Sequence, residues 1–488
     1  MTALSLTRPM ASTAVPTWAG ALWVGTVDVA DLARPDVDDL RLVDADGHPA
    51  ARLLVRDGRE VLGFVEAPVV GGHVSIDLVR SEAADLPPAP RAVVAPSAGL
   101  PTVTVVVCSR DRAEQLRGCL RSVLALDHPA FDVVVVDNAP STTATRDLVA
   151  GEFDDPRVRY VVEPVAGLSS ARNAGLRAAT GEVVAFTDDD VVVDAGWLRG
   201  LCDGFARADD VACVTGLVPS GELRTPVQRS FDDRVSWSRN VAPRVFRLDE
   251  QPADLPTFPF SVGAFGTGAD FALRRDVALA LGGFDTAFGV GTRTAGGEDL
   301  DVFTRVLFAG HALAVQPSAL VWHRHRADLA ALRVQAAGYG TGLGAWLAGV
   351  ALDGRTRRAA LRRAPHAVAA LLAKGKAGSA TAATSRVSTA PADAELDREL
   401  RRTARVELAG VARGPLLYLR QRWDGASTMR PVPTPVTAAA PRPVAAAAPT
   451  PVAAATPVAV PMPAPVPMPA PVPTPVTVTV PTVAGAAS

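Results

Sequence analysis

The sequence predicts an α/β protein built on a mainly parallel sheet flanked by helices, and three observations carry that prediction. Short apolar runs recur from residue 102 onward as VTVVVC, VVVVD, VRYVV, VVAF and VACVTG. Strands buried on both faces read as continuous apolar stretches of this kind, without the alternation of a half-exposed sheet. Helical patterns lie between the runs, so the spacing is that of βαβ units with right-handed crossovers. Several runs also end in polar or acidic residues, and the carboxyl ends of such strands are where ligands bind in open α/β sheets.

The central stretch is Val183 to Asp190, VVAFTDDD, a strand-length run closed by Asp188, Asp189 and Asp190. Three adjacent carboxylates repel one another, which water tolerates but a crevice does not unless a cation offsets them. Oxygen ligands of this type suit Mg²⁺ or Mn²⁺ bridging to a phosphate. Taken alone, the same triplet also suits a solvated acidic turn.

In chain order, residues 1–15 read as disordered. Ala19 to Leu86 alternates in short runs separated by Asp46-Gly47, Asp57-Gly58 and Gly71-Gly72, the pattern of a small antiparallel β unit. Pro87 to Pro101 reads as a linker. Strands follow at Thr102–Cys108, Val133–Asp137, Val158–Val162, Val183–Phe186 and Val211–Gly216, with an amphipathic helix at Ala113–Leu126 and a Ser-capped helix at Ser169–Ala179. A last strand spans Ala314–His325. The stretch after 327 is rich in Ala, Leu and Arg and mostly helical, broken by a Gly/Ser/Thr-rich segment near 375–392. From about residue 426 the Pro/Ala/Val repeats cannot bury a core and predict a polyproline-II-like disordered tail. The expected units are thus a β-rich unit at 1–95, the α/β domain at 100–328, helices at 329–425 and the tail at 426–488.

A length of 488 residues allows two to four such units. The net charge of −2 speaks against nucleic acid as a partner. Lysine occurs only at Lys374 and Lys376, so phosphate contacts fall to arginines and backbone amides. Cys108, Cys119, Cys202 and Cys213 form no CxxC pair and fall on core elements, which fits a reducing, cytoplasmic compartment. The N-terminus lacks a secretory pattern. The Gly-rich stretch Ala336–Leu352 is too short to span a bilayer and reads as packed or interfacial structure. The arginines after 327 suit peripheral contact with a membrane surface.

Four strand-end features make up a candidate site. Asp137 closes the second strand, where a carboxylate can accept from a base or ribose, although it is equally a turn residue. GLSSARNAG places Arg172 and Asn173 in the first turn of a helix, a position that favours an anion. The aspartate triplet is the third. In Gly296-Gly297-Glu298-Asp299, a helix-start carboxylate serves as a general base or simply complements the helix dipole.

In their order and spacing, VTVVVCSRDR, VVVVDNAPS, GLSSARNAG, VVAFTDDD, GGFD with GGEDLD, and VWHRHR resemble an inverting glycosyltransferase of family 2 with the GT-A, nucleotide-diphospho-sugar transferase fold. The resemblance covers Thr102 to about Asp328. It implies that Asp137 holds the nucleoside, that Asp188 and Asp190 are the DxD pair on nucleotide and cation, and that Asp189 lies among the substrate contacts. It further implies that Asp299 is the base with Glu298 beside it, and that His323 is a third ligand to Mn²⁺ or Mg²⁺, with His325 as substitute. Arg172, Asn173 and Ser109 would then contact the donor, and Arg110 its base. Arg110 stands where many relatives carry an aromatic, and a guanidinium plane also stacks. Trp237 is the candidate for an acceptor platform, and Asp270 replaces a frequent asparagine. The implied function is transfer of a sugar from a nucleotide-diphospho-sugar, UDP-linked by expectation, to a hydroxyl on a glycan, glycolipid or small metabolite. A nucleotidyltransferase would show a Gly-rich loop after the first strand, which Ser109-Arg110-Asp111-Arg112 is not. A non-catalytic sugar-nucleotide-binding scaffold would not need Asp299.

Overall fold

A computed structural model describes residues 2–10, 12, 14–89, 99–365 and 391–424. The predicted tail, the Gly/Ser/Thr-rich break and most of the proposed linker lie outside the described residues.

Six strands form the N-terminal part: β1 (Thr2–Leu6), β2 (Leu22–Asp28), β3 (Val37–Leu42), β4 (Ala50–Asp57), β5 (Glu60–Pro68) and β6 (His73–Ser75). They make two three-stranded sheets, ordered β1-β3-β6 and β2-β4-β5. Pairs β4–β5 and β3–β6 are antiparallel, but β1–β3 and β2–β4 are parallel, so the unit is mixed rather than antiparallel. Residues 2–6, expected to be disordered, are ordered because their backbone pairs with β3. Helices α1 (Val29–Leu32) and α2 (Ile76–Ala84) cover part of this core through Leu32, Ile76 and Val79.

The α/β part contains β7 (Val103–Ser109), α3 (Ala113–Leu124), β8 (Phe131–Asn138), α4 (Ala144–Glu152), β9 (Val158–Glu163), α5 (Leu168–Ala178), β10 (Val183–Asp188), β11 (Val191–Val193), α6 (Trp197–Phe205), β12 (Val211–Leu217), α7 (Pro226–Arg234), β13 (Arg244–Phe246), β14 (Asp270–Arg274), α8 (Arg275–Ala280), α9 (Glu298–Phe308) and β15 (Ala312–His323). The sheet order is β11-β15-β12-β14-β10-β7-β8-β9, with β13 on β15. Its parallel pairs are β10–β7, β7–β8, β8–β9 and β12–β15, while β14 runs antiparallel between β10 and β12. Side chains alternate across a strand. Accordingly Val106, Val134, Val136, Val184 and Phe186 fill one core, and Val105, Val107, Val133, Val135 and Ala185 fill the other. Both faces being covered is why these strands read as unbroken apolar runs.

The N-terminal part is joined to this sheet by burial and by charge. Leu22, Val24, Leu54 and Val61 share a core with Leu217, Leu223, Leu320 and Trp322. Arg52, itself buried, reaches Asp232 on α7 at 2.5 Å and Glu66 at 2.6 Å, and Arg56 reaches Asp194 at 2.6 Å. Asp232 also accepts from Ser220 at 2.6 Å. A buried carboxylate is tolerated only when its oxygens are engaged in this way.

Past the sheet, α10 (Leu329–Leu352) starts at Asp328, whose side chain accepts from the Ala331 amide, and runs through the Gly-rich stretch. Its glycines form two stripes. Gly338 and Gly342 lie against the loop Ala295–Gly297, while Gly340 and Gly344 lie against the backbone of Glu407 and Val411 on the helix Pro391–Trp423. A Cβ at Gly340 or Gly344 would fall about 2 Å from a facing carbonyl oxygen. The stretch is glycine-rich because two neighbours approach it at backbone distance. Among the described residues no helix is long and apolar enough to cross a membrane.

Candidate functional site

The strand ends bring the acidic residues together. Asp188 ends β10. The turn through Asp189 and Asp190 leads into β11, which pairs antiparallel with β15 so that Val191 faces His323. That register places His323 beside the triplet. Its Nε2 is 3.3 Å from Asp190 Oδ1 and 4.0 Å from Asp188 Oδ2. One ligand atom from each of Asp188, Asp190 and His323 lies within 4.8 Å of the others. Two carboxylate oxygens and one imidazole nitrogen suit a divalent ion of the Mn²⁺ type, since the nitrogen is less favourable for Mg²⁺.

The charges in this crevice pull against one another. Burial pushes Asp188 above the usual carboxylate range, and Asp190 beside it adds to the shift while Arg172 and His323 oppose it. Burial works in the same direction on Asp190, but His323 and Arg112 outweigh it and hold that carboxyl well below the usual range. Burial opposes a charged His323, yet Asp190 and Asp188 raise it overall. Like-charged neighbours separate in this manner when opposite charges reach only one of them closely.

Two arginines not singled out from the sequence flank the cluster. Arg112 reaches Asp189 Oδ1 at 2.7 Å and Asp190 Oδ2 at 2.6 Å, and Arg326 lies 3.8 Å from Asp190 Oδ2. The signal for Arg112 was present in SRDR, where the absence of glycine drew attention instead. Asp189 is buried, accepts from Ser109 at 2.7 Å and pairs with Arg112, and burial pushes its pKa up to about 7. Both of its oxygens, and the Ser109 hydroxyl, are thus engaged within the protein. Arg110 lies exposed at the end of β7.

The second cluster is the turn before α9. Gly297 caps that helix at φ 92°, and a Cβ there would also fall 2.7 Å from the Gly342 carbonyl oxygen, so the position requires glycine twice over. Asp299 Oδ2 accepts from the Gly268 amide at 2.9 Å and Oδ1 from the Leu300 amide at 2.9 Å. Glu298 is buried and pairs with Arg172 at 3.1 Å. Burial raises its pKa to about 7, with Arg172 opposing and Asp299 adding.

Arg172 and Asn173 lie elsewhere than an anion-binding helix start would put them. Helix α5 begins at Leu168 with Gly167 at the cap and no side-chain cap; Ser169 instead donates to Phe288 O at 2.8 Å. Arg172 is 3% exposed, and its guanidinium lies 5.3 Å and 5.7 Å from the rings of Phe271 and Phe284. It donates to Gly268 O at 2.8 Å and lies 3.7 Å from Asp188 Oδ1. One buried side chain therefore touches both the strand-end carboxylates and the Glu298–Asp299 turn. Asn173 spends both ends of its amide on the Phe284 backbone, at 2.7 and 2.8 Å.

Asp137 is fully buried at the end of β8 and accepts from the Tyr160 hydroxyl at 2.6 Å. Burial raises its pKa, while Tyr160 opposes the shift. His325 is also buried, with Nδ1 3.2 Å from Nδ1 of His323 and its ring packed against Phe231 and Trp237, at 4.6 and 5.9 Å between centroids. Burial, then the charge on His323, holds His325 well below the usual histidine range. Of the two histidines, His323 meets the carboxylates and His325 backs it, fixing the ring as a hydrogen-bonded neighbour does. The rings of Trp237 and the half-exposed Tyr339 lie 6.1 and 6.2 Å from that of Phe231, between centroids. Asp270 is fully buried, accepts from Trp197 Nε1 at 2.7 Å and is pushed well above the carboxylate range by burial, with the Trp197 hydrogen bond opposing the shift.

The family model for Glycosyl transferase family 2 matches residues 104–276. The chain is 31% identical over 281 residues to a pre-mycofactocin glycosyltransferase of Mycobacterium tuberculosis, covering 58% of this chain and 53% of that protein. It is 33% identical over 239 residues to the succinoglycan biosynthesis protein ExoM of Rhizobium meliloti, covering 47% and 69%. It is 30% identical over 192 residues to a glucosyl-dolichyl phosphate glucuronosyltransferase of Haloferax volcanii, covering 38% and 57%. The chain thus spans about half the length of the first of these relatives. Among solved structures, a mannosyltransferase of Pyrobaculum calidifontis aligns with TM-score 0.41 and 20% identity, over 69% of this chain and 91% of that one.

Proposed function

Because the chain belongs to glycosyl transferase family 2, we propose that it transfers a sugar, with inversion, from a nucleotide-diphospho-sugar to an acceptor hydroxyl. The observation that carries this reading is the single connected arrangement of Asp188, Asp190 and His323 with Glu298 and Asp299, joined through Arg172. Asp188, Asp190 and His323 would hold a divalent ion, Mn²⁺ by the chemistry of the donor set. When bound, that ion supplies Lewis-acid neutralisation of the departing diphosphate.

Arg112 and Arg326 approach the same carboxylates from the solvent side and are the cations available to the diphosphate oxygens. Asp137 and Asn138, at the end of β8, define the nucleoside end of the crevice. Asn138 there accepts from the Gly167 amide at 2.9 Å and donates to Val165 O at 2.7 Å, holding the loop before α5 in place. Asp299 accepts the proton of the acceptor hydroxyl. The oxygen attacks the anomeric carbon in line, the bond from that carbon to the diphosphate breaks, and its electron pair leaves with the nucleoside diphosphate. Trp237 and Tyr339 offer ring faces to an acceptor near this base. The relatives' names support sugar transfer without agreeing on an acceptor. The UDP-linked donor expected from the sequence is part of the proposal.

The test is slow donor hydrolysis. Incubated with Mn²⁺ and a panel of UDP-, GDP- and dTDP-sugars, the protein should release the nucleoside diphosphate from one of them without acceptor. No release from any donor, with or without a metal ion, would favour a binding scaffold.

A further inference from the structure

The helix Pro391–Trp423 packs one face on α10 through Thr403, Gly410, Gly414 and Tyr418. At 3.6 residues per turn, Leu408, Ala412, Leu416, Leu419 and Trp423 line up on the opposite side. That stripe is open: Leu408 is 70% exposed, Leu416 54%, Leu419 49% and Trp423 91%. Isolated exposed leucines are ordinary, but four large apolar residues in one line over four turns are not.

Charge identifies what covers the stripe. Between Arg401 and Trp423 the sequence holds six arginines and one acid, Glu407, and Glu407 is taken by Arg234 on α7 at 2.6 Å. Arg401 and Arg405 continue the line of the stripe toward the N-terminus, and Arg413 and Arg420 flank it. All four are exposed and make no ion pair with another described residue. A second copy related by a two-fold axis would set these arginines against their own equivalents, which is unfavourable. An acidic, planar, apolar-cored partner satisfies both features at once. Leucines enter the acyl boundary, tryptophan sits at headgroup level, and arginines meet lipid phosphates.

We propose that the Leu408–Trp423 face docks the protein on an anionic bilayer surface. The surface is independent of the sugar-transfer reading, because none of its residues touches the acidic crevice.

The experiment is flotation of the full chain with vesicles of phosphatidylcholine alone or with phosphatidylglycerol, at low and high salt. The protein should float with the anionic vesicles at low salt and be released by salt. Leu416→Glu combined with Trp423→Glu should abolish flotation. Arg405→Glu and Arg413→Glu should each weaken binding by more than roughly fivefold, the effect expected for losing one cation near an anionic surface. Circular dichroism should match wild type, and donor hydrolysis without vesicles should be unchanged, which keeps a failed surface distinct from a failed site. Wild-type protein that stays at the bottom of the gradient with phosphatidylglycerol vesicles would overturn the proposal. So would a double glutamate variant that still floats, or one that turns a wild-type dimer into a monomer, since the face would then be an interface between two copies.

Discussion

The two walls of the crevice are built differently. On the side proposed to hold the donor, every key residue sits at or just beyond the end of a strand: Asp137 on β8, Asp188 on β10, and Asp190 and His323 locked by the β11–β15 register. On the side proposed for the acceptor, Phe231, Trp237 and Tyr339 come from a short helix, a loop and the middle of α10, held by packing and by Arg52 reaching across from the N-terminal part. Backbone pairing fixes positions to a fraction of a residue, because a one-residue slip reverses every side chain. Helix and loop packing fixes them more loosely. On the proposed reading the strand-end wall therefore suits one ion and one diphosphate, and the opposite wall suits variation in the acceptor.

The largest effect expected from breaking this contrast is on the donor wall. His323→Ala should lower kcat/KM by about a thousandfold, the scale of losing one preorganised electrostatic group in a closed site. Titration of donor hydrolysis with Mn²⁺ checks it, and the half-saturating concentration should rise.

Arg172→Met tests the joint between the walls. It leaves Glu298 buried without its cation, at a cost of about 3 kcal/mol in unfolding free energy. Adding Glu298→Gln should recover much of that loss in chemical denaturation, whereas independent residues would give additive losses.

Asp270→Asn tests the buried acid at the start of β14. The acid is raised in the folded protein and returns to its ordinary value on unfolding, so its contribution is fully present below about pH 4 and is lost as pH rises toward the folded value. Relative to wild type the variant should therefore gain stability as pH rises above about 4, read from paired denaturation curves. A gain independent of pH would mean that burial does not raise Asp270.

The smallest effect belongs to the acceptor wall. Trp237→Ala should raise the acceptor KM by about tenfold, the scale of one lost ring contact, and leave the rate of donor hydrolysis unchanged.

The same contrast governs what the sequence made legible. The strands of the large sheet were readable because burial on both faces writes itself as valine runs such as Val133 to Val136. Asp188, Asp190, Asp299 and His323 were placed through the motif order. Helix α5 was also found, but not the burial of Arg172, because its partners at Gly268, Phe271, Phe284 and Glu298 lie about a hundred residues away in sequence. Alternation in the N-terminal strands shows which face is buried, yet it does not distinguish a parallel from an antiparallel neighbour. Hence the β2–β4 pair was read as antiparallel, while β1 was missed outright because residues 1–15 read as disordered. The glycines of α10 marked close approach without saying to what.

The central claim is that one crevice separates ion and donor binding from proton removal. Isothermal titration of a donor sugar nucleotide into Asp299→Asn and Asp190→Asn, paired with a transfer assay, tests it most directly. The account predicts that Asp299→Asn binds donor with wild-type affinity in Mn²⁺ but transfers nothing, while Asp190→Asn loses the metal-dependent part of binding. Wild-type turnover by Asp299→Asn, or undiminished metal-dependent binding by Asp190→Asn, would contradict it.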